Sequence, residues 1–434
     1  MERVTKKVSL QNPQEFKQQL LSWAQQFEQV LWLDSNNYNM QHSQYDAVLA
    51  VDAYSELSTP SEGAFDALKT YQATENDYIF GYLSYDLKND TEDLKSENFD
   101  GLEFPELYFF RPKRLFLFSN KGVTLKYLTT DNQSIDADLT AIKSVNHQNK
   151  SSDKSKGSPI KIKLRIHKDG YHSKLKKVLN HIHRGDIYEA NFCQEFYAEN
   201  TRINPLEIYN NLNTISGSPF ASYFKSKHHY ILSASPERYI QKVGNTVISQ
   251  PIKGTAKRSL IPEEDAILKS KLAKDPKEIA ENIMIVDLVR NDLSKIAQKG
   301  SVKVQELCKA YSFKQVHQLI STITCTMDVN TSSVDILRHT FPMGSMTGAP
   351  KISAMQIMEI LEETKRGVYS GAIGYISPTG DFDFNVVIRS ILYNAQKKYI
   401  SFSVGGAITA KSIPEKEYEE CLLKANAMKK VLVK

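Results

Sequence analysis

The sequence predicts an α+β fold. Runs rich in aromatic and β-branched residues recur along the chain and read as strands. Amphipathic segments with N-cap signatures stand between them and read as helices. The two alternate without the regular βαβ period of a doubly wound sheet. At 434 residues the chain exceeds the roughly 250–300 at which single cores stop growing, so a large composite core or two closely joined domains are expected.

Asn12-Pro13-Gln14-Glu15 opens the first helix, with Asn as N-cap, Pro at the first helical position and Glu in the first turn. Phe16, Leu20, Trp23 and Phe27 follow at helical spacing. Residues 30–34, 46–54, 77–87 and 107–119 read as strands, so 1–130 is a sheet region with a few helices. Residues 131–160 are poor in aromatics and contain HQNKSSDKSKGSP, which reads as a hydrophilic linker or long loop. From 161 to 434 the patterning is dense again. A helix from Tyr171 ends at Gly185, and 186–198 is a strand. Strand, turn and strand fill 230–255. Asp275-Pro276-Lys277-Glu278 opens a helix to about Leu293, and the glycine-bearing loop 340–351 leads into another. Residues 371–406 read as a β-meander, and Ser412-Ile413-Pro414-Glu415 opens the last helix.

Composition narrows the function. The chain is 41% hydrophobic and 24% charged with a net charge of +5, which is ordinary globular composition. The near balance of signs points away from nucleic acid and anionic membrane and leaves a small anionic substrate open. No stretch approaches the ~18 apolar residues of a membrane span, and the N-terminal segment lacks an apolar signal region. Cys193, Cys308, Cys325 and Cys421 are widely spaced and read as reduced thiols, so a cytoplasmic protein is expected. The histidines form no HExxH pair, and no GxSxG segment is present. The loop Met343–Lys351 is not a Walker A loop, because its lysine stands at the wrong spacing. It is either an anion-binding helix start or a tight turn capping a core helix.

Glu281 sits in AENIMIVDLV, a helix apolar nearly all round, where a carboxylate needs a partner or a metal. Glu420 lies either on a solvated face paired with Lys424 or at a metal. Carboxylates on two helices would suit Mg²⁺. Glu237 (SASPERYI) and Lys253 (QPIKGT) are either surface charges or a proton donor and a nucleophile on neighbouring strands. Arg389, in the apparently interior strand VVIRSIL, needs an anionic partner.

SASPERYI, PIKGTAKR, AENIMIVDLVRNDL, FPMGSMTGAPKISAM, RGVYSGAIGYISPTGDFDF, VVIRS and SVGGAITAKSIPEKEYEE together resemble the chorismate-utilising enzymes, in the family's order, across about 240 residues. The resemblance implies the anthranilate-synthase-like fold. In it two large antiparallel sheets pack as a sandwich, helices lie outside, and chorismate binds in the cleft between the sheets. Residues 161–434 would then be the chorismate-binding catalytic region. Lys253 resembles the aminodeoxychorismate branch of the family, where the anthranilate branch usually carries Ala.

The resemblance further implies amination of chorismate at C4. Glu237 would be the general acid, Lys253 the covalent nucleophile, and Glu281 and Glu420 the Mg²⁺ ligands. Tyr369 and Arg389 match positions that hold the enolpyruvyl carboxylate. Ser345, Gly254, Thr255, Gly405 and Gly406 would contact substrate carboxylates, and His317 would line the cleft. The chain departs from the family at Glu189, often Gln in relatives, at Lys411, usually Asp, and at Ala407, often Gly. It carries no glutaminase signature, so ammonia would come from a separate glutamine amidotransferase subunit. An anthranilate-forming enzyme, or a non-catalytic regulatory relative of the same fold, is the alternative reading.

Overall fold

The computed structural model describes residues 2–38, 42–119, 122–129, 134–145 and 160–433. Every ladder between its strands is antiparallel, and the ladders divide at one long ribbon formed by Ala47–Thr59 and Leu107–Ser119. The later half of Leu107–Ser119 pairs with Gly122–Leu128, which in turn takes Arg3–Ser9 at the edge. Its earlier half pairs instead with Ile79–Leu83.

Two layers grow from this ribbon. The first runs through Gln29–Asp34, Phe220–Ser226, His229–Ser235, Ser390–Asn394 and Tyr399–Thr409 to Glu189–Ala198. The second runs from Ile79–Leu83 through Ala372–Ile376, Phe382–Val386, Arg238–Val243 and Thr246–Gln250 to Val316–Thr326. That last strand also carries Ile252–Lys257 and Lys303–Ser312.

Side-chain alternation makes this a sandwich. Val30 and Trp32 point outward into a core covered by the helices Pro13–Trp23, Pro205–Ser216 and Pro414–Leu432. Leu31 between them points inward. It joins Phe80, Phe110, Ile231, Ile373 and Leu392 in a cluster that both layers share. The outer face of the second layer packs on the helices Ala64–Glu75, Pro276–Ser294 and Ser333–Thr340. The two-sheet sandwich with outer helices is therefore the observed fold. No helix among the described residues is long and apolar enough to cross a membrane.

Two local expectations are corrected. Residues 371–406 do not form one meander. The chain leaves the second layer at Val386 and enters the first at Ser390, so Arg389 lies in the crossing rather than in a strand. Its φ of 54° marks the bend. Within 131–160, Ile135–Ser144 is a helix instead of a loop. The Ser134 hydroxyl accepts from the N–H groups of Asp136 and Ala137, and Leu139 and Ile142 are buried. Only that short apolar stripe betrays it, too little for periodicity to register. The residues with the HQNKSSDKSKGSP run, 147–159, lie outside the described residues.

A buried ion pair ties the loop 344–347 to both neighbours. Arg366 donates to Glu362 through Nε and Nη2, to the Met346 carbonyl at 2.6 Å and to the Asn191 carbonyl at 2.7 Å. Glu362 also accepts from the Cys193 N–H at 3.0 Å. Arg366→Met would leave Glu362 buried without its cation. Denaturant unfolding is expected to show a loss of about 3–5 kcal/mol. Parent-like stability would contradict this role for the pair.

Candidate active site

Lys253 stands on Ile252–Lys257, beside the helix Pro276–Ser294. Asn282 of that helix fixes the strand by donating from Nδ2 to the carbonyls of Lys253 and Leu319, each at 3.2 Å. The Lys253 side chain turns inward, and Nζ donates to Glu189 Oε1 at 2.9 Å. Glu189 belongs to the far strand of the first layer, so this contact bridges the two layers. Burial alone would drive the Lys253 ammonium toward losing its proton. Attraction to Glu189, and then to Glu281 and Glu237, overrides burial and holds its pKa above the ordinary lysine value.

Glu237 sits in the turn between His229–Ser235 and Arg238–Val243, almost fully buried. Burial pushes its carboxyl up to about 7. The Ser345 hydroxyl donates to Glu237 Oε1 at 2.6 Å, and this bond, Lys253 and the Ile252 N–H restrain the rise. Glu237 and Ser345 line a small cavity together with Gly344, Pro251, Val289 and Asp292. The loop carrying Ser345 is held from behind, where Lys351 Nζ donates to Asp292 Oδ2 at 2.9 Å and to the Thr340 carbonyl at 3.2 Å. Lys351 is therefore engaged by Asp292 and Thr340, and the loop works as a positioning turn.

Glu281 rises from a helix that Asp275 caps as its sequence predicts, accepting from the N–H groups of Lys277 and Glu278. That helix is amphipathic rather than buried all round: Ile283 and Arg290 are exposed, while Glu281, Asn282, Ile285 and Asp292 are buried. Burial pushes the Glu281 carboxyl up to about 7 against the pull of Lys253 and Lys277, and Glu189 and Glu278 add to the rise. Among the described residues its buried Oε1 lacks a hydrogen bond, with Lys277 Nζ at 3.7 Å.

Glu420 is paired with Lys424 at 2.7 Å. Burial acts to raise its pKa, but Lys424, Lys277 and Lys253 hold it below the usual carboxylate range. Its side chain is 47% exposed against 11% for Glu281. Two further acids join this cluster, Glu278 beside Gly254 and the buried Glu417 beside Gly406. Burial raises both, and Glu420 raises each further.

Facing carboxylates with an unbonded buried oxygen, balanced only by lysine ammoniums, fit a divalent cation that takes oxygen ligands. Among the described residues no three His, Cys, Asp or Glu side chains gather closely enough to enclose a metal by themselves. An ion held here would need water or substrate oxygens to complete its shell.

Arg389 and Tyr369 are neighbours. Burial works against the Arg389 charge, and Tyr369 and Glu420 favour it. The Arg389 guanidinium has no hydrogen bond or ion pair among the described residues, so it is a partly buried cation lacking an anion. Tyr369 is buried, its pKa raised well above the usual range chiefly by burial. Gly405 and Gly406 lie on Tyr399–Thr409, and Lys424 Nζ donates to the Gly405 carbonyl at 3.1 Å. Thr255 is exposed on the Lys253 strand.

His317 does not offer its ring to this cluster. Its Nδ1 contacts Ser312 Oγ and its Nε2 contacts Asp265 Oδ1, each at 3.0 Å. Sequence reasoning singled out Glu189 without a role and missed Lys277, Glu278 and Glu417. The spacing of Glu278 from Glu281 and of Glu417 from Glu420, one helical turn each, was the available signal.

A family model described as chorismate binding enzyme matches residues 11–430. The chain is 33% identical over 349 residues to an anthranilate synthase component I-like protein of Synechocystis, across 80% of this chain and 71% of that one. It is 39% identical over 259 residues to aminodeoxychorismate synthase component 1 of Klebsiella aerogenes, across 60% of this chain and 57% of that enzyme. Anthranilate synthase component I from Streptococcus pneumoniae superposes with a TM-score of 0.76 at 26% identity, over 90% of this chain and 95% of that one.

Ser345→Ala removes the donor that restrains Glu237. The Glu237 carboxyl is expected to titrate about one unit higher than in the parent. Infrared difference titration of the carboxyl band reads this shift, and an unmoved midpoint would contradict the assignment.

Proposed function

The chain belongs to the chorismate-binding enzyme family, and from that premise we propose that it is an aminodeoxychorismate synthase component I. It would convert chorismate and ammonia into 4-amino-4-deoxychorismate, for 4-aminobenzoate and folate synthesis. The supporting observation is the buried amine of Lys253 beside Glu237, whose carboxyl burial pushes up to about 7. A nucleophile and a general acid would thus act from neighbouring positions.

Chorismate carries two carboxylates, and the unpaired Arg389 guanidinium with neighbouring Tyr369 is suited to take the enolpyruvyl one. Ser345, Gly254, Thr255, Gly405 and Gly406 would line the remaining contacts. Glu281 and Glu420 would hold Mg²⁺, with Glu278 and Glu417 behind them. When bound, the ion supplies charge stabilisation to the ring carboxylate and ring. Lys253, as a neutral amine, forms a bond to C2 while the C4–oxygen bond breaks. Glu237 gives its proton to the departing hydroxyl, which leaves as water. Ammonia then bonds at C4, and the C2–nitrogen bond breaks to free Lys253. Two displacements replace one difficult substitution. Ammonia would reach the site from a separate glutamine amidotransferase subunit, in the cytoplasm.

The product decides the reading. Incubation with chorismate, Mg²⁺ and ammonium is expected to give 4-amino-4-deoxychorismate, which the pyridoxal-dependent lyase turns into 4-aminobenzoate. Lys253→Ala should lower turnover at least about 100-fold. Anthranilate appearing without the lyase would overturn the assignment. Because Glu237 acts in its protonated form with a pKa of about 7, kcat/KM should fall as pH rises through that value, by about tenfold per unit beyond it. A rate that climbs through the same range would exclude Glu237 as the acid.

A further inference from the structure

An ammonium is no nucleophile, and the 2.9 Å contact of Lys253 Nζ with the Glu189 carboxylate favours the ammonium. Some group must therefore take its proton before it can attack. Among the described residues, Nζ makes its side-chain hydrogen bond to Glu189 alone, at 2.9 Å. Glu189 is 1% exposed, and its other oxygen, Oε2, is buried with no hydrogen-bond partner. Its strand is pinned on both sides, pairing with Ala349 across one edge and Thr409 across the other. Gly348 passes so close that a Cβ there would lie 2.3 Å from the Glu189 carbonyl. On this fixed backbone one Glu189 oxygen meets the lysine, and the other stands buried and free of partners among the described residues.

We propose that Glu189 is the base that takes the proton from Lys253 before attack and returns it when the lysine is expelled. The inference rests on the proposed function, since it requires Lys253 to be the nucleophile. The other acids facing Lys253 are committed elsewhere. Glu237 holds the proton for the leaving hydroxyl, and Glu281 faces Lys277 and Glu278. Substrate entry displaces water from the pocket, and a charge-separated pair loses hydration that a neutral amine and acid do not need.

The Nζ–H bond then breaks and an Oε–H bond forms on Glu189. The freed lone pair makes the C2–nitrogen bond as C4–oxygen breaks, and Glu237 completes the water. When ammonia has bonded at C4, the lysine departs as an amine and recovers its proton from Glu189. The new C4 ammonium gives one proton to Glu237. Every group ends as it began, and water is the only by-product.

The experiment compares Glu189→Gln with the parent, using chorismate, Mg²⁺ and ammonium. A parent that makes no 4-amino-4-deoxychorismate defeats the proposed function, whatever Glu189 does. With the parent active, Gln keeps the shape and an acceptor oxygen but cannot take a proton. At pH 7 kcat should fall about 100-fold, with the KM for chorismate within about threefold of the parent. Solvent must then deprotonate Lys253, so the deficit should shrink by about tenfold per pH unit as pH rises. Glu237 is common to both enzymes and cancels in the ratio. A kcat within about threefold of the parent, or a deficit constant with pH, overturns the proposal. If the variant does not fold, the parent alone decides. Its kcat should show no rising limb toward alkaline pH, and a rising limb would mean that solvent, not Glu189, removes the proton.

Discussion

The whole site turns on one buried ammonium facing three carboxylates. Lys253 is taken out of water at a cost that only opposite charge can offset, and Glu189, Glu281 and Glu237 supply it. The same crowding sets the acids apart from one another. Glu237 and Glu281 are pushed up to about 7, whereas Glu420, more exposed and paired with Lys424, stays below the usual range. Like groups in unlike surroundings are thereby pushed apart, two toward keeping a proton and one away from it. None of these properties belongs to one residue; each depends on where the others are held.

Holding them is the work of the sandwich. Glu189 comes from the last strand of one layer and Lys253 from a late strand of the other, so the ion pair closes only if both layers keep their register. Asn282 locks the Lys253 strand to its helix, and the Arg366–Glu362 pair locks the Ser345 loop to the Glu189 strand. The crossing at Val387–Arg389 matters for the same reason. By stepping from one layer to the other it leaves the partly buried Arg389 beside Tyr369 instead of within a sheet.

Much of this was legible in the residues because local chemistry and the fold agree. Asp275 caps the helix it appears to cap, Asn12 does likewise, and Gly185 ends its helix with a φ of 84°. Glu237, Lys253, Glu281 and Ser345 stand in motifs whose roles the sequence could suggest, and the structure gathers all of them. The rest was hidden because it depends on long-range pairing. Nothing near Glu189 announces a partner 64 positions away. The apolar run through Arg389 conceals a bend that arises only because its two ends pair in different layers. His317 stands in a fitting segment, yet Ser312 and Asp265 already occupy both ring nitrogens. Lys351 looks like an anion-binding lysine until Asp292 is seen to claim it.

The most direct test is to catch the lysine in the act. Chorismate and Mg²⁺ are supplied while ammonia is withheld, and the protein is quenched, digested and mapped by mass spectrometry. The account predicts a mass gain on Lys253 equal to chorismate less one water. An enzyme that turns over when ammonia is restored, yet carries no such adduct at Lys253, would contradict it.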